Sequence, residues 1–300
     1  MKNNNTMWED IKIFDSSEGN VWKFVFTNKE AIAEAVLYQY ESFQKRTVIC
    51  CSVQSGCPVG CGFCGTGKKF IRNLSTSEIV SQIEEVLKAK GLKDSIKDCE
   101  KFQIMFMSMG EPFLNYCQLD NALILLSTTY PNAQLLVSTI GVNAPEHFID
   151  FLEVSKGNSK IGLQFSIHES LDANRNKLIP FKNKLTLRQI RDYGIKWNKE
   201  TKRPVYLNYC ITEDNAYPDD INRLKDLFSP ESFYFTFSVV CEADETMKGK
   251  AYDLHGRIEE VMASFIEDGY NVRKFDPAGQ DDIGGGCGQL WYVQDFLKQK

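Results

Sequence analysis

The sequence predicts an α/β chain built as a parallel barrel, open or closed, behind a small β extension. Three observations predict it. Six short apolar runs of strand length alternate with six amphipathic stretches of helical period. The first of those runs leads directly into a cysteine-rich loop, and ligands of such barrels sit at the carboxyl ends of the strands. The stretch up to about Phe43 shows short apolar runs without helices between them.

In that extension, residues 1–43, the runs Ile11–Phe14, Val21–Phe26 and Ala31–Tyr38 read as short antiparallel strands. The core then fills residues 44–300. Its strands are Thr47–Val53, Phe102–Met107, Gln134–Ser138, Ile161–Ile167, Val205–Ile211 and Phe233–Val240. The helix Ser77–Lys90 has the clearest pattern, with Ile79, Ile83, Val86 and Leu87 on one face. Ser75 and Glu78 fit a capping box at its start and Gly91 fits its end. The remaining helices are Asn115–Thr129, Pro145–Ser155, Leu187–Lys199, Pro218–Leu227 and Leu254–Asp268.

Composition narrows the function classes. The chain is 43% hydrophobic and 25% charged, as in ordinary globular proteins, and no apolar run approaches the roughly 20 residues that span a bilayer. MKNNNTMWED lacks the apolar segment of a signal peptide. The expectation is a cytoplasmic protein without a membrane partner, whose ten cysteines stay reduced. Net charge is −5, yet the window from Arg175 to Arg203 holds ten basic residues against two acidic ones. Such a face is either a phosphate-binding surface or a solvated helix flank.

Three motifs carry chemistry. Cys57, Cys61 and Cys64 stand at C-x3-C-x2-C with no nearby fourth cysteine. A structural zinc site needs a fourth ligand at finger-like spacing, and the three histidines lie far off. Three thiolates hold three irons of a cubane cluster and leave the fourth open to a ligand. Catalytic zinc on three cysteines is the alternative. The second motif, Met109-Gly110-Glu111-Pro112, follows a strand, where glycine lets the backbone approach a ligand and a carboxylate can accept from an ammonium group. It could equally be a plain turn. The third, Gly284-Gly285-Gly286-Cys287-Gly288, gives the backbone freedom to carry a thiol into a pocket. Cys50, just before the cluster loop, is a candidate partner thiol for a transient disulfide. Strand alternation sends Cys50 and Cys51 to opposite faces, so only one of them faces the barrel interior. Cys99, Cys117 and Cys210 read as buried small residues.

With these motifs in view, the chain resembles the RlmN/Cfr family of radical-SAM RNA adenine C-methyltransferases from about Glu34 to Trp291. The resemblance rests on CSVQSGCPVGCGFCGTG, RNLSTSEIVSQI, MSMGEPFLN, STIGV, FSIHESLDANRNKLIPF and DDIGGGCGQLW, in that order. It implies a partial (β/α)6 TIM-type barrel of the radical-SAM superfamily and two cofactors, a 4Fe-4S cluster and S-adenosyl-L-methionine. Cys57, Cys61 and Cys64 then match the cluster ligands. Phe63, Gly110, Glu111, Ser138, Ser166, Ile167 and His168 match cofactor contacts. Cys287 matches a cysteine that is methylated first, and whose methyl group then reaches carbon 2 or carbon 8 of an adenosine as a radical. Cys50 matches the cysteine that forms a disulfide with Cys287 to release product. Glu34 matches the base that takes the adenine proton.

The implied partners are ribosomal or transfer RNA and an electron donor such as flavodoxin, with the protein itself a monomer. Two departures stand out. The family's N-terminal helical accessory domain has no counterpart in this sequence, and Cys241 stands where the family has an asparagine that contacts S-adenosylmethionine. A thiol is a poorer hydrogen-bonding group than a carboxamide. The competing readings are the same methyl transfer to a non-RNA substrate, and a non-enzymatic iron–sulfur redox sensor that needs neither Cys50 nor Cys287.

Overall fold

The structure, a computed structural model, describes residues 7–240, 255–275, 279, 282–286 and 288–300. Its strands are β1 (Asp10–Asp15), β2 (Val21–Thr27), β3 (Ile32–Tyr40), β4 (Arg46–Cys51), β5 (Gln54–Gly56), β6 (Phe70–Asn73), β7 (Lys101–Phe106), β8 (Gln134–Thr139), β9 (Ile161–Ser166), β10 (Val205–Ile211), β11 (Phe233–Val239) and β12 (Val272–Phe275). Its helices are α1 (Thr76–Ala89), α2 (Tyr116–Thr129), α3 (Pro145–Gly157), α4 (Asp172–Leu178), α5 (Leu187–Thr201), α6 (Pro218–Leu227), α7 (His255–Glu267) and α8 (Tyr292–Lys298).

Ten of these strands form one sheet in the order β1-β2-β3-β4-β7-β8-β9-β10-β11-β12. From β4 to β12 every neighbour is parallel. The strand–helix alternation therefore yields the expected partial barrel. The three antiparallel strands extend the same sheet, with Val36 of β3 opposite Cys50 of β4. They also share its core, where Trp22, Phe24 and Phe26 pack in one cluster with Ile49, Ile79 and Ile83.

Strand alternation sorts the residues into two layers. Outward positions such as Ile49, Ile104, Phe106, Val137, Phe165 and Phe237 are apolar and pack under the helices. Inward positions include Gln164, Asn208, Thr236 and Arg273, and they border a cavity. A barrel filled for stability alone carries branched apolar side chains inside. This interior sets those few polar groups among apolar ones such as Val36, Val48 and Met105, the mixture found in ligand pockets.

The helices end where their sequences stop them. Ser75 Oγ accepts from Glu78 N at 3.3 Å while Ser75 N donates to the Glu78 carboxylate at 2.9 Å, closing the expected capping box of α1. In α5, Thr186 and Gln189 form a second capping box. The elements that sequence periodicity did not announce are short: β5, β6 and β12 have three or four residues, and α4 and α8 have seven. Two helical turns, or two strand alternations, are too few for a period to show. Among the described residues no helix is long and apolar enough to cross a membrane.

Candidate active site

The three-cysteine loop leaves the barrel at the carboxyl end of β4 and is framed by β5 and β6, which pair antiparallel. Cys57 N donates to Lys69 O at 2.7 Å, Gly62 N to Leu178 O at 2.8 Å, and Cys64 N to Cys61 O at 3.1 Å. These bonds tie the loop to the ribbon and to the end of α4. Cys57, Cys61 and Cys64 are each half-buried. Burial pushes the Cys57 thiol up to about 12 and the Cys61 thiol well above its ordinary value, and neighbouring cysteine charge adds to both. Thiolates here would need a metal's positive charge beside them.

The chemistry of the donor set fits a cluster: three thiols on one loop lie close enough to feel one another's charge. A cubane separates its cysteines, because each sulfur grips a different iron. Zinc would require them drawn onto a single centre. Cys57, Cys61 and Cys64 are the residues that would hold such a cluster.

Beside this loop, the residues expected to contact S-adenosylmethionine fall on three adjacent strand ends, after β7, on β8 and on β9. Gly110 has φ +100°, and a Cβ there would sit 2.6 Å from Gln54 Cβ, so the position requires glycine. Glu111 is buried, and its carboxylate accepts from Thr139 Oγ1 at 2.6 Å, Ile140 N at 2.9 Å and Phe113 N at 3.1 Å. Burial raises its pKa to about 7 against those hydrogen bonds. Three donors leave one lone-pair site for a further partner.

Ser138 Oγ lies 3.3 Å from Ser166 Oγ and accepts from Gln164 Nε2 at 3.0 Å. Ile167 is buried, and its N–H donates to Asn208 O at 3.0 Å. His168 has a left-handed backbone, φ +57°, with its ring buried edge-on to Phe63 at 4.9 Å between centroids. Its Nδ1 accepts from Cys210 N at 3.0 Å. Burial, with Arg175 nearby, lowers its pKa to about 3, so the ring is neutral and Nε2 carries the proton.

Cys50 faces inward on β4 with Val36, Val48 and Met105, while Cys51 packs outward in the helix-side core. The alternation argument for this pair is thus realised. Cys50 borders a cavity of about 400 Å³ that Gly286 and Gly288 also border. Cys287 and Cys241 lie outside the described residues. Gly288 does not: it has φ +81°, accepts from Gly65 N at 2.6 Å, and would place a Cβ 2.6 Å from Phe63 O. The stretch flanking Cys287 is thus seated on the cluster loop.

Glu34 is fully buried on β3 and does not line that cavity. Lys23 Nζ stands 2.7 Å from its Oε2, and Tyr292 N donates to its Oε1 at 3.2 Å. Burial raises the pKa of Glu34, and Lys23 opposes the rise. Of the other cysteines, Cys99 and Cys210 are buried as expected, whereas Cys117 is exposed in the first turn of α2.

Three polar residues of the site carried no individual signal in the sequence. Arg175 is completely buried; its guanidinium donates to Leu185 O at 2.8 Å, to Ile140 O and to Ser166 O, bracing the loops at the barrel mouth. Arg273, on the unannounced β12, reaches Thr236 Oγ1 at 2.6 Å and lines the cavity. Lys23 sits in a strand that otherwise reads as continuous apolar sequence. A lone charge in an apolar strand was the one available clue, since such a charge must be paired.

The basic window also divides. Arg175 is internal, and Arg203 donates to the carbonyls of Ser155, Ser159 and Ile161. Lys177, Lys182 and Arg188 are exposed near the carboxyl ends of the strands, whereas Lys196, Lys199 and Lys202 are exposed on the half of α5 and its cap that lead back to the amino end of β10. Only the first group flanks the mouth.

A partial parallel barrel with a three-cysteine loop at the end of its first parallel strand defines a radical-SAM fold. A radical SAM methyltransferase from Sphaerobacter thermophilus superposes with a TM-score of 0.76 over 93% of this chain and 80% of that one, at 24% identity. SuiB from Streptococcus suis, solved with S-adenosylmethionine, superposes with a TM-score of 0.53 over 78% of this chain and 47% of that one, at 18% identity. Within this class the chain belongs to the RlmN family. It is 31% identical over 225 residues to a protein of Heliobacterium modesticaldum described as "Probable dual-specificity RNA methyltransferase RlmN". That match takes in 71% of this chain and 55% of the relative, so the chain spans about half the relative's length. A protein of the same description from Fervidobacterium nodosum is 28% identical over 291 residues, 93% of this chain and 77% of that one. No family model matches the sequence.

Proposed function

We propose that this protein is a radical-SAM methyltransferase that adds a methyl group to carbon 2 or carbon 8 of an adenosine in ribosomal or transfer RNA, through a methyl-bearing Cys287 that Cys50 later releases. The observation that carries the reading is the cavity of about 400 Å³ bordered by inward-facing Cys50 and by both neighbours of Cys287. The names of the relatives support RNA as the substrate. Exposed Lys68 and Lys69 on the cluster ribbon, with Lys177, Lys182 and Arg188 across the mouth, support a phosphate-bearing partner.

When bound, the cluster and S-adenosylmethionine supply the radical. The chain's own residues do the rest. Cys57, Cys61 and Cys64 hold the metal. Gly110, Glu111, Ser138, Ser166, Ile167 and His168 line the cofactor's berth, and Glu111 offers its remaining lone pair to an ammonium group. Neutral His168 donates from Nε2 without adding charge. Cys50 attacks the sulfur of Cys287: an S–S bond forms, the bond from Cys287 to the product's methylene carbon breaks with its electron pair going to that carbon, and the carbon takes up the proton that Cys50 gives up, becoming the methyl group; Glu34, expected as the base for the adenine proton, is held by Lys23 away from this cavity. Burial pushes the Cys50 thiol up to about 12 and nearby Arg273 opposes that rise, which keeps the thiol protonated until it is needed. An electron donor such as flavodoxin, a monomeric state and a cytoplasmic setting complete the proposal.

Two measurements test it. Mass spectrometry of the purified protein is expected to find S-methylation at Cys287. Cys50→Ala, with cluster reconstituted and RNA supplied, is expected to accumulate a protein–RNA adduct through Cys287; release of methylated RNA at the wild-type rate would overturn the role of Cys50. A redox sensor on the same scaffold would show neither signal.

A further inference from the structure

We propose that Lys23 is a positioning residue that clamps the segment carrying Cys287 from both sides. The proposal rests on the reading of Cys287 as the methyl-bearing thiol.

Lys23 stands in β2 and is fully buried. Its Nζ lies 2.7 Å from Glu34 Oε2 and donates to Gly284 O at 3.2 Å and to Gln289 O at 2.7 Å. An ammonium group has three protons, and these three acceptors use them all. Two of the acceptors are backbone carbonyls, one on each side of Cys287. The same patch holds the segment at further points. Tyr38 Oη donates to Gly285 O at 2.7 Å, and Tyr292 N donates to Glu34 Oε1 at 3.2 Å. The Tyr292 ring lies 5.3 Å from the ammonium.

The physical logic is a penalty for undocking. A glycine-rich segment has many conformations and little side-chain packing to choose among them. If Gly284 and Gln289 leave, Lys23 gives up two of its three hydrogen-bond partners, while Glu34 remains beside it in the sheet. The docked segment is therefore favoured by a cost that falls on the undocked one. A lysine serves because one point charge with rotatable donors can satisfy two carbonyls in unlike directions. Glu34 completes the arrangement by balancing the charge.

Backbone hydrogen exchange in the cluster-loaded enzyme tests this directly. In the wild type, amides of residues 284–290 are expected to exchange about as slowly as those of the adjoining helix α8; exchange at the rate of exposed backbone would overturn the clamp. Lys23→Met is expected to accelerate exchange in 284–290 about tenfold or more while leaving β4 and β7 unchanged. Should that variant fold poorly, Lys23→Met/Glu34→Leu removes both charges together and leaves no unpaired ion. In that folded double variant, tenfold faster exchange confined to the segment supports the clamp, and wild-type exchange refutes it. The S-methylated fraction of Cys287 is read on the same wild-type sample. Its absence would count against the proposed reaction, while the exchange results would still decide the clamp.

Discussion

Arg175 shows how a single side chain can hold a site that it does not enter. Its guanidinium spans carbonyls from the ends of two strands and from the loop before α5. Replacing it with methionine keeps the volume and removes the donors. Three buried carbonyls then lose a partner, a loss of about 3 kcal/mol or more. Urea denaturation of Arg175→Met should show that loss, with weaker retention of the cluster because Gly62 is bonded to the end of α4. Glu169, next to His168, gives a pH signature. Burial and then the Asp220 charge raise its pKa to about 7 from 4.5. Between those values the folded chain keeps a proton that the unfolded chain has released, so stability falls as pH rises through the window and levels off above it. The fall should be on the order of 1–2 kcal/mol, measured as the shift in unfolding free energy between pH 5 and pH 8, and Glu169→Gln should flatten it. Neither role was legible in the sequence, where Arg175 was one cation among ten and Glu169 one letter of a motif. Cys57, Cys61 and Cys64 were legible because ligand spacing is a local property. Burial is not.

Among the elements, legibility followed length. Helix α1 announced itself by four apolar residues on one face and by a capping box, and both are present. Ser75→Ala should cost about 1 kcal/mol in a chemical denaturation curve, since it removes the side-chain acceptor for Glu78 N. Strand β12 could not announce itself in four residues, yet it completes the sheet and delivers Arg273 to the cavity. The turn after β7 lies between these cases. Its Gly-Glu-Pro read equally well as an ordinary turn, and only the approach of Gln54 shows why glycine is needed. Gly110→Ala combines a φ of +100° with a backbone atom, Gln54 N, 2.8 Å from the new methyl group. The expected result is at least tenfold weaker S-adenosylmethionine binding by calorimetry, with the cluster still loaded, because the shift falls on the berth and spares the cysteine loop.

For the whole molecule, the average charge of −5 conceals the relevant surface. Charge reversal at Lys177, Lys182 and Arg188 should weaken RNA binding and reduce its dependence on salt, measured by titration at several ionic strengths. The same change at Lys196, Lys199 and Lys202 should leave both nearly unaltered, because that end of α5 points away from the mouth. The sequence identified a basic window, but only the fold divides it into two ends of a barrel. It also showed the N-terminal runs as a separate extension, because antiparallel pairing and barrel strands leave different local patterns. In the structure those strands are continuous with the sheet, and β3 stands next to β4.

The bonds from Lys23 to Gly284 and Gln289 join residues 261 and 266 positions apart. During synthesis, then, the lysine emerges long before either carbonyl exists, and the partly made chain has a lysine with nothing to hold. The cysteine segment can dock only after nearly all of the barrel has been translated and folded. The buried ammonium thus gains two of its three acceptors only from the last part of the chain to be made, and the strand that carries it is finished by the stretch synthesised last.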